Sequence, residues 1–515
     1  MTTTQQQPPT QRPPVGASGS SAPADSPYLF RLAHWLLGGS MIVLVLTGLS
    51  IHASSRPGWS VFNGRLPEGL WAGRVALWHL VAAAVFLPAI LAGLWACRKR
   101  GLLRRGAHLA LLGGGLAMAV TGALRLETPS GELWGPIAVF LHAALGLIAL
   151  PVVFLWHSLC GLTWRRRLLV ASFRPFRGAR LKTLLGLVLL AALTTWALAG
   201  FWPLAAPWRV LTVKRIDAPG GGAADLAALP WDQASPLRVR LADGANLRGG
   251  QTLMTLRALH DGQDLFVRAE WDDPTEDRLY RPWKKTADGW ERLTDSPEYP
   301  NVYYEDKLSM VFPIDSAWQF GVAGCLIDCH VDAKQVYGYK GGPVRIDCWH
   351  WKAARTDPVG QVDDKYWTAL DPAGGSGRKA DPKSTGGYKD NVDKDKKGPA
   401  WLGAAPLVLG GASGAQTRPA LEACTKEAAD KLPPGTLVPG VTASLFVGDR
   451  GDVTCQSVHT HGRWTVYLRR RLDTGSEFDA AFAPGGRTPF GVAAFDCTSD
   501  RHAYALRPYW MALEE

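Results

Sequence analysis

The sequence predicts an α plus all-β protein, a five-helix transmembrane bundle followed by a periplasmic β-sandwich domain. Three observations carry that expectation. Nearly all long apolar runs of the 515 residues fall before residue 204, and each is long enough to be read as a membrane-spanning helix. Charge divides at the same place, with 18 Lys+Arg against 4 Asp+Glu up to residue 203 and 38 against 41 beyond it. The net charge of +11 therefore belongs to the first part. From residue 204 the pattern changes to short alternating segments broken by Gly, Pro and Asp, the signature of several strands in a sandwich.

Residues 1–26, rich in Thr, Gln, Pro and Ser, lack the apolar content to fold and are expected to form a disordered cytoplasmic tail. They are no cleavable signal, because the apolar run that follows is too long and no small-residue cleavage site succeeds it. Spans are expected at 28–51, 70–96, 107–124, 134–160 and 184–201, within a helical domain of residues 27–203. The loops 97–105 and 165–182 are densely basic, whereas 53–69 and 125–133 hold three arginines between them. By the positive-inside rule the basic loops lie in the cytoplasm. The expected location is thus the inner (cytoplasmic) membrane, with the amino terminus inside and residues 204–515 in the periplasm. In that domain LRVRLA (237–242), TLRALHDGQDLFVRAEW (255–271), KLSMVFPI (307–314) and RWTVYLRRRL (463–472) read as strands. Residues 373–400, dominated by Gly, Lys and Asp, read as a long solvated loop. No internal repeat is evident, and no basic stripe with interleaved aromatics or known motif points to nucleic acid.

The apolar run from Trp134 to Cys160 carries His142 and His157. Fifteen positions separate them by about 22 Å and about 60° of rotation on a helix, so both look toward one side at two depths. His34 in the first run and His79 in the second complete a set of four. Ordered by the expected topology, His79 pairs with His142 and His34 with His157. Ionisable groups in apolar spans are costly and usually functional, and neutral imidazoles are good iron ligands. The pairs therefore predict two non-covalent b-type haems, with Arg31 and Arg74 placed to meet haem propionates. Alternatively, such histidines only hydrogen-bond between helices, and arginines at helix ends only snorkel.

In the second domain, Cys325 and Cys329 precede His330 in the segment GCLIDCH. This is the haem-attachment sequence Cys-x-x-Cys-His with one extra residue. It predicts a further haem, c-type, with His330 as axial ligand and His461 or His459 as the second. Met254 and Met310 are alternatives, while Lys352 is expected to pack along the tryptophans. Six cysteines in this domain equally allow a set of disulfides, and parity does not separate the two readings.

Two resemblances add to this. On the four histidines and their helices, residues 28–200 resemble the di-haem cytochrome b subunits that anchor respiratory formate dehydrogenases and nickel–iron hydrogenases. That implies electron transfer across the membrane and a quinone site, although no quinone motif is visible. Residues 206–510 are similar to the haem-binding subunit of ethylbenzene dehydrogenase and its relatives. The residues that carry the likeness are ALHDGQDLFVRAEWDDPT (258–275), EDKLSMVFP (305–313), CWHWKAAR (348–355), HGRWTVYLRRRLDTG (461–475) and FGVAAFDCTSDRHAY (490–504). The resemblance implies a β-sandwich that binds one haem b between a methionine and a lysine and passes electrons from a molybdenum subunit. Here Cys325–His330 stands where the methionine is expected, and His459 and His461 where the lysine is.

The expected function is a membrane-anchored electron-transfer cytochrome linking quinone or quinol to a periplasmic or membrane redox partner protein, in contact with membrane lipid. It is a redox subunit rather than a complete dehydrogenase, unless quinol oxidation counts as its activity. Two other classes stand beside this one. The outer domain could be haemless and dock a catalytic partner onto a di-haem anchor, or the chain could be a sensor, for which no cytoplasmic output domain is present.

Overall fold

The computed structural model describes residues 27–54, 75–99, 106–127, 141–155, 209–217, 225–241, 244–294, 302–315, 320–321, 324, 345–368, 377–403, 406–409, 421–499, 501–505 and 508–515. Helices form where the apolar runs lie: α1 (Pro27–Ser54), α2 (Val75–Lys99), α3 (Gly106–Glu127) and α4 (residues 141–155, with a π-helical turn Leu145–Ala149). A short helix, α5 (Lys426–Asp430), capped by the Thr425 side chain, belongs to the second domain. The expected fifth span, 184–201, lies outside the described residues.

The transmembrane bundle and the multi-pass inner-membrane location are corrected. Among the described residues no helix is long and apolar enough to cross a membrane. Small residues recur within the helices, as at Gly38, Gly39 and Ser40 in α1 and Gly113–Gly115 in α3, and Pro88 lies inside α2. The helices instead meet through a small core of Met41, Leu44, Phe86, Ile90, Met118 and Leu150.

The second part is a large β-sheet-rich domain. Thirteen strands share one hydrogen-bonded sheet: β1 (Val210–Arg215), β2 (Leu237–Leu241), β3 (Thr252–His260), β4 (Asp264–Asp272), β5 (Lys307–Pro313), β6 (Ile346–Lys352), β7 (Asp363–Trp367), β8 (Arg378–Ala380), β9 (Thr454–Thr460), β10 (Arg463–Arg471), β11 (Arg487–Phe495), β12 (Ala503–Tyr504) and β13 (Tyr509–Leu513). The order is β8-β7-β6-β5-β11-β13-β1-β3-β4-β10-β9, with β2 beside β3 and β12 beside β11.

Strand β11 turns the sheet back on itself. Its residues 487–490 pair with β13, and 491–495 pair with β5. Two layers therefore face each other, and Trp351 of β6 meets Trp271 of β4 and Trp464 of β10 edge-on. These indoles are fully buried and contribute about 2–3 kcal/mol each by area removed from water. Local chemistry sets the hairpins. At the β3–β4 turn the Asp261 carboxylate accepts from the Gln263 and Asp264 N–H groups, and Gly262 takes φ +90°. Residues 373–400, expected as a solvated loop, contribute β8 and a two-residue strand Lys389–Asp390, and they bury Asp381 and Asn391.

Candidate functional site: a histidine pair and a buried charge network

His79 of α2 and His142 of α4 lie together, with ring centroids 6.2 Å apart and planes inclined by 68°. Each ring is held through Nδ1. The Thr47 hydroxyl donates to the Val43 carbonyl at 2.6 Å, so its oxygen is left to accept, and His79 Nδ1 donates to it at 2.8 Å. Thr121 likewise donates to the Ala117 carbonyl at 2.8 Å. His142 Nδ1 is 3.2 Å from Thr121 Oγ1 and 3.2 Å from the Met118 carbonyl, and a carbonyl can only accept. Both imidazoles are thereby fixed as the Nδ1–H tautomer, which makes Nε2 the nitrogen with the lone pair.

Two glycines leave room beside the rings. A Cβ at Gly48 would lie 3.6 Å from His79 Cε1, and one at Gly122 would press to 3.0 Å from His142 Cε1. The centroid separation is compatible with two imidazoles sharing one metal ion, since with metal–imidazole bonds of about 2 Å such rings would have centroids roughly 6 Å apart.

Among the other membrane-part residues, His34 and Arg31 lie on α1, but their side chains are outside the described set. His157 and Arg74 fall outside the described residues. So do Cys325, Cys329 and His330. Their segment is the connection from β5 to β6, which fixes only where it leaves and rejoins the sheet. His459, on β9, donates Nε2 to the Asp273 carbonyl at 2.9 Å and sits edge-on to Trp464. His461 occupies the β9–β10 turn with φ 52°. Met254 and Met310 are core residues. Cys348, Cys424, Cys455 and Cys497 are free thiols.

Strands β5, β6 and β7 carry what sequence reasoning missed. Alternation along a strand sends successive side chains to opposite faces. Leu308, Met310, Phe312, Trp349 and Trp351 enter the core between the layers. The other face presents Lys307, His350, Lys352 and Asp363, all buried. Asp363 gathers three cations: Lys352, Lys365 at 2.9 Å and Arg450 at 2.6 Å. Tyr388 donates to it as well, at 2.9 Å.

Burial alone would push the Asp363 carboxyl up, but Lys352, Lys365 and Arg450 hold it well below the usual carboxylate range. Burial lowers Lys352 and Lys365 to about 8 each. Alongside, Glu305 pairs with Arg355 and accepts from the Ala354 and Arg355 N–H groups. His350 is pushed well below its ordinary value by burial and by Lys352. It is therefore a neutral imidazole, and its buried Nε2 has no hydrogen-bond partner. The sequence signal for this face was the alternation Trp349-His350-Trp351-Lys352, in which tryptophans and basic residues take turns.

The chain thus joins a helical part that brings two imidazoles together to a folded-over β domain with a dense buried charge network. The family model for ethylbenzene dehydrogenase matches residues 229–507, more than half of the chain, and the protein belongs to that family. No curated protein matches it. Among solved structures, a carbohydrate-binding module of family 9 from Caldicellulosiruptor kristjanssonii is similar in two complexes. The cellotriose complex is 10% identical over 59% of this chain and 93% of the other, with a TM-score of 0.23. The glucose complex is 10% identical over 59% and 95%, also with a TM-score of 0.23. A likeness this distant carries no argument about the present chain.

Proposed function

We propose that the protein is a haem-binding electron-transfer subunit that exchanges electrons with a separate redox protein. The observation that carries this is the His79–His142 pair, two imidazoles at 6.2 Å whose tautomers are fixed through Nδ1 by Thr47, Thr121 and Met118. Membership of the ethylbenzene dehydrogenase family supports the redox reading. A haem held there supplies a one-electron ferric–ferrous couple. His79 and His142 would hold it, and their threonine and carbonyl partners would orient the rings and raise their basicity. Gly48 and Gly122 keep the space beside the rings clear.

In the β domain His350 is better suited to a metal than His459. His350 has its buried Nε2 without a partner, whereas His459 has given its Nε2 to a carbonyl.

A pyridine haemochrome assay on the purified full chain, with H79A and H142A beside it, tests the reading. Each variant is expected to lose one non-covalent haem per chain. Full haem content in both variants, or none in the wild type made with ample haem, overturns it.

A further inference from the structure

At one end of the sheet five aspartates converge from five separate segments. Asp347 lies on β6, Asp364 on β7 and Asp381 just after β8. Asp452 closes the turn before β9, and Asp479 lies in the loop after β10. One carboxylate oxygen each from Asp347, Asp364 and Asp479 lies within 4.8 Å of the others. Asp381 faces the same place, since its backbone N–H donates to the Asp364 carbonyl and its carboxyl meets that of Asp479.

The donors near these acids do not satisfy them. Arg470 donates to Asp347 Oδ2 at 2.6 Å, and Ala480 N–H reaches the same atom at 3.0 Å. Thr474 donates to Asp479 Oδ2 at 2.5 Å, and Lys365 N–H to Asp364 Oδ1 at 2.9 Å. That leaves Asp347 Oδ1, Asp364 Oδ2, Asp479 Oδ1, Asp452 Oδ1 and both oxygens of Asp381 buried with no donor. Asp347 and Asp364 are 0% exposed and Asp381 3%. Unpaired buried carboxylates are strongly disfavoured, and one buried guanidinium, Arg470, does not balance five of them.

The second acidic group in the domain, Asp273–Asp306–Asp496, is a useful contrast. Both Asp306 oxygens accept from N–H groups of Asp277, Trp464 and Cys497, and a single oxygen, Asp273 Oδ2, is left over. That group is a hydrogen-bonded structural cluster. The first one offers six oxygens and lacks donors.

The geometry points to a calcium site, in which Asp347, Asp364, Asp381, Asp452 and Asp479 bind one Ca2+ through these oxygens. Calcium takes six to eight oxygen ligands at about 2.4 Å, so oxygens that share one ion lie within about 4.8 Å of one another, a limit the three central oxygens meet. Magnesium demands near-ideal octahedral geometry and keeps water, which this buried, all-carboxylate set does not favour. The ion ties β6 and β7 to the loops that follow β8 and β10. Without it, six buried carboxylate oxygens are left with no donor.

The test uses the full chain after dialysis against EDTA. Equilibrium dialysis with Ca2+ at pH 7.5 is expected to retain one tightly bound ion per chain that D381N binds about 100-fold more weakly. Ca2+ raises the Tm of the wild type, and equal Mg2+ does so far less. D381N in EDTA melts no lower than the EDTA-treated wild type, because an amide of the same size adds a donor to a donor-poor cluster. D452N, at the more exposed edge of the cluster, gives a second affinity measurement if D381N does not fold. No retained Ca2+, equal affinity in the foldable variant, or equal stabilisation by Mg2+ overturns the assignment. In that case the acids share protons instead.

Discussion

The helical part and the β domain bury polar groups in opposite ways. In the described helical residues each histidine meets a threonine of another helix that is also bonded to a carbonyl three or four residues back along its own, and His142 meets the Met118 carbonyl as well. Large apolar side chains such as Trp78, Leu91, Ile148, Val152 and Leu155 lie on the outside there. In the β domain the apolar residues are inside and the buried charges form networks, with Asp363 under three cations and Asp347 under Arg470. The difference teaches where a mutation acts. A network fails as a unit because each member leaves others unpaired, whereas a single orienting bond can be removed with the fold intact.

The largest effect is therefore expected at Asp363. D363A strands Lys352, Lys365 and Arg450 in a buried site, and breaking such a network from one side costs about 3–5 kcal/mol. K352M leaves Asp363 with Lys365, Arg450 and Tyr388 and is expected to cost only about 1–2 kcal/mol. Urea unfolding read at constant m checks both. If the two variants are equally destabilised, Asp363 is not the centre of the network.

How much of this was legible in the sequence follows from the same contrast. Apolar runs at 28–51, 70–96 and 107–124 located α1, α2 and α3 to within a few residues, because helix periodicity and composition are local. The strands TLRALHDGQDLFVRAEW and RWTVYLRRRL were legible for the same reason. Whether a helix crosses a membrane was not, since an apolar run reads alike in a span and in a helix buried against its neighbours. The adjacency of His79 and His142 could be read from chain order, but Thr47 and Thr121 could not be linked to them without the helix packing. The five aspartates of the second domain were invisible. They come from strands and loops up to 132 positions apart, Asp347 to Asp479, and no local pattern marks an acid that burial will leave without a donor.

The acidic cluster also predicts how stability depends on pH. Burial raises Asp347 to about 6, Asp452 to about 7 and Asp381 to about 9, and carries Asp364 well above its ordinary value. Each folded value lies above the unfolded one, near 3.9. The folded state then binds more protons, so stability falls as pH rises through the folded values. In EDTA the Tm is expected to fall steadily from pH 5 to pH 9. With Ca2+ the slope flattens, because the ion replaces the protons. The network around Asp363 has the opposite sign. Its depressed carboxyl contributes stability that is lost only as pH falls below about 4. A Tm in EDTA that is flat from pH 5 to 9 would separate the acids of the cluster from the energetics of the fold.

The smallest effects are expected in the helical part, and they sharpen the comparison most. T47V removes the acceptor that fixes His79 Nδ1 and puts nothing in its place. Loss of such an outer partner typically weakens metal binding about 10-fold. T121V removes one of two acceptors at His142, and the Met118 carbonyl still holds Nδ1 at 3.2 Å, so its effect should be several-fold less. Neither change strands a buried charge, so both should leave the unfolding midpoint nearly where it was. Haem transfer to apomyoglobin measures the retention, with T47V faster than T121V and T121V close to wild type. Equal rates in both variants would mean that the threonines tie the helices together and leave the ring tautomers to other groups. The histidine pair would then owe its orientation to packing alone.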